Sequence, residues 1–348
     1  MNPLTAIFFL FTIPAHCENK RIGPPAEPLK SRYWDQPFKP TAAFGSYNSF
    51  IRRSDGKFEL WNNTRGDGPE DGLVRFIGTS PTDWGKPEVV VPHKIISDVF
   101  DKDGKPSGKR RYTRPSVLFH EKDGYILIPH VCDGYPPRQG SVYPALITSK
   151  TGKAGSWVYH GKLRGEIEEF WPGKQSRWAD GKGLFYQPEF SKLNTKEPTK
   201  NRFLFFSNQY RGKGCLALLY SADGKEWKFY RSEGKIVNLL PDTLRSKSMI
   251  FPHVMRAGKH GWYAWISEKW PPEAIWRIHS KDGLDWKLFG EQPEIVRPED
   301  STIKTLCAWY DDKADLLHGY VAIWEKIGEE INYRLYHSTS RQFSIGAE

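Results

Sequence analysis

Three carboxylates stand where acid–base chemistry could use them. Glu189 follows Pro188 in Gln187-Pro188-Glu189-Phe190, and its alternate neighbours Gln187 and Ser191 are polar. On a strand, that alternation turns one face toward a polar cavity. Glu268 ends the aromatic run Trp262-Tyr263-Ala264-Trp265-Ile266-Ser267 and stands two residues before Trp270, a platform for stacking. Asp133 precedes Gly134. Two carboxyl groups flanking a glycosidic bond suffice to hydrolyse it. One is kept protonated by burial or a nearby negative charge and protonates the leaving oxygen, while the other activates water or attacks the sugar. An inverting pair stands roughly 6.5–9.5 Å apart. Each residue also has a plainer role: Glu189 can orient an arginine such as Arg114, Glu268 can pair with Lys269 or a neighbouring element, and Asp133 can serve a turn.

Around these carboxylates lies a second set suited to holding a sugar: Tyr47, Asn48, Arg114, His130, Gln187, Asn208, Tyr210, Arg211, His253 and Trp270. Amides and charges bind hydroxyls, and rings stack on pyranose faces. The same set supports a different reaction. β-Elimination on a uronate needs a base and a group that neutralises the carboxylate, and His130, His253, Tyr210, Arg114 and Arg211 can supply both.

The elements that position these residues repeat along the chain. Ser221-Ala222-Asp223-Gly224-Lys225-Glu226-Trp227 recurs almost letter for letter at Ser280–Trp286, and looser copies end at Trp84, Trp157 and Phe343. Asp-Gly favours a tight hairpin because glycine tolerates positive φ. The anchoring aromatics are roughly 57–73 residues apart, a unit length that holds four short strands. Five such units predict an all-β, five-bladed β-propeller with four antiparallel strands per blade. The expected inner strands are Tyr47–Arg53, Arg114–Phe119, Leu184–Phe190, Ile250–Arg256 and Thr305–Tyr310. The last outer strand, Phe343–Ile345, is a stub, and a segment near Tyr33–Phe38 is expected to complete that blade. Inner strands begin near the axis on the face where second-to-third-strand loops open, so the residues above converge on one funnel.

The blade openings Arg114-Pro115-Ser116-Val117, Gln187-Pro188-Glu189-Phe190 and Phe251-Pro252-His253-Val254, with the Asp-Gly turns, aromatic second strands and Ser-x-Asp-Gly-x-x-Trp exits, resemble the five-bladed propeller glycosidases of the arabinanase–levansucrase–invertase group. The exits are also similar to sialidase turns. The likeness spans about residues 44–345 and implies a glycoside hydrolase. Members of that group usually carry an Asp at the first blade's opening, another in a middle blade and a Glu further on. Here the first opening is Gly45-Ser46-Tyr47-Asn48, and the fourth has His253. The group's catalytic set is therefore not carried over, and Glu189, Glu268 and Asp133 remain the candidates.

Residues 3–15 form an apolar core like that of a signal peptide, too short to span a membrane. The expected division is a leader over 1–17, an N-terminal linker over 18–43 and the propeller catalytic domain over 44–348. Export follows, to the exterior or periplasm. Lipid anchoring through Cys17 is not expected after His16. Cys132, Cys215 and Cys307 fall in three different units and, with no CxxC pair, argue against a disulfide framework or zinc. No cofactor is expected, though a single cation near the propeller axis is compatible with the fold. The net charge of +10 is compatible with an anionic partner, and scattered surface Lys is its plainer explanation. Lys and Arg are scattered rather than striped, which argues against nucleic acid. The reading is an exported hydrolase of a plant or algal polysaccharide or oligosaccharide. The alternatives are a polysaccharide lyase and a non-catalytic glycan-binding propeller. Oligomeric state and the sugar are left open.

Overall fold

The computed structural model describes residues 22–45, 48–64, 70–96, 110–121, 123–133, 142–170, 176–186, 202–210, 213–269, 272–327 and 330–344. They form five sheets of four antiparallel strands, two of them extended by a two-residue strand, and one small hairpin sheet of Arg231–Ser232 and Lys235–Ile236. Blade 1 is Ser49–Arg52, Phe58–Asn63, Gly72–Gly78 and Glu88–Pro92. Blade 2 is Arg110–His120, Gly124–Asp133, Val142–Ser149 and Val158–Lys162. Blade 3 is Ser176–Tyr186, Arg202–Tyr210, Lys213–Ser221 and Glu226–Phe229. Blade 4 is Met249–Arg256, Trp262–Glu268, Ala274–Ser280 and Lys287–Leu288. Blade 5 takes Ile303–Asp311, Leu316–Ile327 and Glu330–Ser340, and its outer strand is Lys39–Phe44 from the other end of the chain. Inner strands contact one another in blade order, and the fifth returns to the first. The expected five-bladed propeller is the fold observed.

Strand alternation explains where the core lies. On the second strand of blade 4, Trp262, Ala264 and Ile266 pack toward blade 3, while Tyr263 and Trp265 pack toward blade 5. Side chains at successive positions face opposite sides of a sheet, so a strand apolar on both faces feeds two interfaces. The result is five apolar cores, one between each pair of neighbouring blades.

The recurring turn has a defined geometry. Ser221 Oγ donates to Asp223 Oδ1 (3.0 Å) and accepts from Gly224 N–H (2.8 Å), while Asp223 Oδ1 accepts from the N–H groups of Lys225 (2.7 Å) and Glu226 (2.9 Å). Trp227 Nε1 then donates to Gly224 O at 3.0 Å. Ser280, Asp282, Gly283 and Trp286 repeat every one of these bonds. Gly224 and Gly283 both sit at φ +78°, which is why glycine is required there.

Closure comes later than the Tyr33–Phe38 segment expected to supply it. Lys39 pairs with His337 and Phe44 with Arg334. The residues before this strand are packed rather than loose: Leu29, Tyr33, Trp34 and Phe38 are buried in the core between blades 4 and 5. Trp34 donates to Glu294, a buried carboxylate that also receives Arg277 Nε (2.5 Å), Arg277 Nη2 (3.1 Å) and Trp265 Nε1 (3.1 Å). Blade 1 holds a related cluster, in which Glu59 accepts from Trp61 Nε1 (2.9 Å) and the Tyr125 hydroxyl (2.8 Å) and lies 3.6 Å from Arg75.

Candidate functional site

The described inner strands of blades 2 to 5 share one irregularity. Pairing to the second strand slips by one residue between Thr113 and Ser116, Gly181 and Leu184, Ile250 and His253, and Ile303 and Leu306. Each is a β-bulge, blade 3 carrying a second one between Ser176 and Ala179, and a bulge re-aims a side chain out of the ladder. The first bulged residues are Arg114, Lys182, Phe251 and Lys304.

Arg114 and Phe251 are both in the left-handed region, at φ +52° and +55°, and each precedes a proline. A bulky residue held there costs on the order of 1–3 kcal/mol, and the following proline restricts it further. Both side chains are buried, and the Arg114 guanidinium carbon lies 4.8 Å from the Phe251 ring centroid. Blades 2 and 4 are not neighbours, so this cation–π contact spans the axis. Lys304, half-buried, rests its Nζ 4.5 Å from the Tyr333 ring centroid on the blade 5 wall.

The neighbouring positions tie the ring together. Val117 N–H donates to Ser49 Oγ (3.2 Å), and His253 Nε2 donates to Ala308 O (2.6 Å). His253 thus joins inner strands 4 and 5. His130 is fully buried on the second strand of blade 2, opposite Thr113. Asn48 Nδ2 donates to Gly45 O (3.3 Å) and Asn62 Nδ2 to Phe44 O (2.6 Å). The Oδ1 atoms of both are buried without a partner among the described residues.

Glu268 stands at the end of its strand, paired with Met249 across the ladder. Lys247 Nζ reaches both of its oxygens (3.0 and 3.1 Å), and Trp276 Nε1 donates to Oε2 at 2.7 Å. Lys247 also lies 4.6 Å from the Trp276 ring centroid. The alternative partner Lys269 is taken by Glu273 (2.8 Å). Any chemistry at Glu268 must share it with Lys247.

The inner strand of blade 3 is Ser176–Tyr186, earlier in the chain than the Leu184–Phe190 expected. Gln187 and Glu189 follow its last residue and lie outside the described residues, as do Tyr47, Arg211 and Trp270. Asp133 ends the second strand of blade 2, and Asn208 and Tyr210 lie on the second strand of blade 3. Their backbones are placed and their side chains are outside the description. The structure therefore brings Arg114, His253 and the buried His130 to inner and second strands around one axis, and places Asn48 just ahead of the inner strand of blade 1. Sequence reasoning missed Lys247, Trp276 and Lys304. Lys304 precedes Thr305, the residue chosen to open the fifth inner strand, and no proline marks that bulge. Among the described residues, no group of three or more His, Cys, Asp or Glu is placed to hold a metal ion. None of the described helices is long and apolar enough to cross a membrane.

No family model matches the chain, and no curated protein matches it. Solved structures do. A family-43 glycoside hydrolase, a β-1,3-galactosidase with galactodeoxynojirimycin, superposes with a TM-score of 0.57 at 13% identity over 88% of this chain and 94% of that one. An N-acetylgalactosamine deacetylase from F. plautii, in complex with blood group B trisaccharide, gives 0.57 at 11% identity over 90% and 95%. A family 117 glycoside hydrolase from the marine bacterium Zobellia galactanivorans gives 0.54 at 12% over 92% and 93%. At such identities the likeness establishes the five-bladed fold, and that fold carries more than one reaction in these relatives.

Proposed function

We propose that the chain is an exported glycoside hydrolase acting on a galactose-containing polysaccharide or oligosaccharide. The observation that carries this reading is the propeller axis, where inner-strand bulges of a five-bladed propeller hold Arg114 and Phe251 in contact. Backbone strain at buried residues is the kind of pre-organisation that binding sites maintain. Galacto-configured sugars are the ligands or substrates named for two of the similar structures, which is what favours galactans here. The net charge of +10 favours an acidic member of that class. The apolar residues 3–15 support export.

Glu189, Glu268 and Asp133 are the candidate acids and bases. Glu189→Gln and Glu268→Gln should each lower turnover of a galactan by orders of magnitude while leaving the unfolding transition in place. A near wild-type rate in either variant makes that residue structural. Ultraviolet-absorbing unsaturated product, abolished in His253→Ala, would replace hydrolysis with elimination. One observation favours a second reading, a glycan-binding propeller without turnover: Lys247 and Trp276 together engage both oxygens of Glu268. Tight glycan binding with no product of either kind would establish it.

A further inference from the structure

We infer that the propeller carries a second glycan-binding cleft, at the ends of the inner strands and away from the Arg114–Phe251 contact, which takes an uncharged stretch of the oligosaccharide or polysaccharide. This inference rests on the glycan-directed reading of the chain and adds a site that the axial residues do not share.

Two hollows meet at Arg52. One, of about 360 Å³, is lined by Arg52, Ser54, Phe119, His120 and Glu121. The other, of about 190 Å³, lies between blades 1 and 5 and is lined by Phe50, Ile51, Phe58, Glu59, Trp309 and Tyr310, again with Arg52. The larger falls within the size of small-molecule sites, roughly 300–1,000 Å³. Arg52 and His120 are the last residues of the inner strands Ser49–Arg52 and Arg110–His120, and Tyr310 is the last but one of Ile303–Asp311. His120 lies six residues beyond Arg114 on one strand, about 20 Å at ~3.3 Å per residue. The hollows and the Arg114–Phe251 contact therefore occupy different ends of the propeller.

The lining suits a sugar. Phe50, Ile51, Phe119 and Tyr310 are only partly buried, so apolar and ring surface faces a concave wall that the C–H face of a pyranose can cover. Arg52 supplies the donors. Its Nη1 donates to Asp311 (2.9 Å) and Asp312 (3.3 Å), and its guanidinium carbon lies 5.6 Å from the Phe58 ring centroid. Among the described residues its Nε and Nη2 have no hydrogen-bond partner, and the side chain is 28% exposed. A fork fixed at one nitrogen and open along its other edge is pre-organised to donate to neighbouring hydroxyls.

Charge decides the kind of ligand. Arg52 is matched by two aspartates, and the buried Glu59 lies 3.3 Å from Arg53 and 3.6 Å from Arg75. His120 lies 3.5 Å from Asp123, and Glu121 adds an exposed carboxylate to the rim. An oxyanion would meet one guanidinium that already carries two carboxylates. A lipid or an apolar peptide would strip water from these charges and return no hydrogen bonds. A neutral glycan both donates and accepts through its hydroxyls while covering the rings.

The test is amide hydrogen exchange of the full chain, titrated with a neutral galacto-hexasaccharide and with a uronate-bearing oligomer of equal length. The neutral probe should protect residues 49–58, 117–121 and 307–313, and the acidic one should protect them less. Arg52→Lys keeps the ion pair with Asp311 but removes the fork, and should weaken this protection about five- to tenfold in ligand concentration. Phe119→Ala removes a stacking face and should weaken it about tenfold. Exchange around residues 112–116 and 249–254 should respond to the probe in both variants as in the wild type. Absence of protection at the strand ends overturns the inference, as does tighter binding of the acidic probe there or protection unchanged in both variants. Should Phe119→Ala lower the unfolding midpoint, Arg52→Lys decides alone. Product analysis on the same hexasaccharide keeps the two proposals apart. Protection at the strand ends without product sinks the hydrolase reading and leaves the cleft standing, whereas product with protection confined to the axial residues does the reverse.

Discussion

Replacing Glu294 by glutamine removes one charge and almost no volume, so its effect isolates what the buried carboxylate does. Glu294 and Arg277 have fully buried side chains. Oε2 accepts from Arg277 Nε, while Oε1 accepts from Arg277 Nη2, Trp265 Nε1 and Trp34 Nε1. In Glu294→Gln the amide oxygen can keep the Oε1 bonds, but the NH2 group must then face Arg277 Nε, donor against donor. The guanidinium also loses its only counter-charge among the described residues of this core, leaving aromatic faces at 4.5–5.5 Å. Breaking a buried pair by neutralising one partner costs about 3–5 kcal/mol. For a chain of this length, unfolding entropy near 2.1 cal/mol/K per residue converts that to a midpoint fall of about 4–7 °C. Because Trp34 lies ahead of the closing strand, the N-terminal segment should also become easier to cleave. Denaturant unfolding gives the free energy, and limited proteolysis reports on the segment. A loss below about 1 kcal/mol would falsify the claim that this pair anchors the closure, because it would mean the site relaxes or admits water.

Three further outcomes are expected. His318 Nδ1 and His337 Nε2 lie 3.0 Å apart, and burial pushes both imidazoles down, to about 4. With folded values below the unfolded 6.5, stability should be constant at higher pH and fall as pH drops from about 6.5 toward 4. A pH series of unfolding midpoints checks this, and His337→Gln should flatten the slope. Asp223 is held below the usual carboxylate range; burial opposes this, but the N–H groups of Glu226 and Lys225 and the Ser221 hydroxyl outweigh it. Asp223→Ala should therefore destabilise blade 3 by about 1 kcal/mol or more, read by chemical denaturation, and a neutral effect would mean the turn holds through Trp227 alone. Lys247→Met should alter any pH–rate profile that depends on Glu268 while leaving one governed by other carboxylates unmoved.

The fold was legible because its signals are local. A Ser, an Asp-Gly turn and a tryptophan close their own hydrogen bonds within seven residues, so Ser221–Trp227 and Ser280–Trp286 announce the blade without reference to the rest of the chain. Closure was only roughly legible. The strand Lys39–Phe44 reads as Lys-Pro-Thr-Ala-Ala-Phe, with little alternation, and its identity comes from pairing with residues near 335. Glu268 was correctly placed at the end of a second strand, but its partner Lys247 meets it only through the pairing of Met249 with Glu268. Proline was a partial guide to the axis. It marks the bulges at Arg114 and Phe251, is missing after Lys182 and Lys304, and stands at Pro188 beyond the end of the described inner strand.

The bulges also explain why such a fold says so little about its reaction. An inner strand packed between two neighbours must keep its alternation, because each of its residues belongs to one of two apolar cores. His253, Ser116 and Leu306 sit just past the slip and are committed to those neighbours, by a hydrogen bond in the case of His253. The bulged residue is exempt from the ladder, and in blades 2 and 4 its side chain is released toward the axis. It can therefore be arginine in one blade and phenylalanine in another without disturbing either core. The backbone cost of that release falls on the residue itself, as the positive φ of Arg114 and Phe251 shows. Chemistry at the axis is thus separated from the packing that builds the propeller. Relatives near 13% identity can keep the five cores while exchanging the funnel residues, and it is those residues, not the blades, that an assignment of activity has to test.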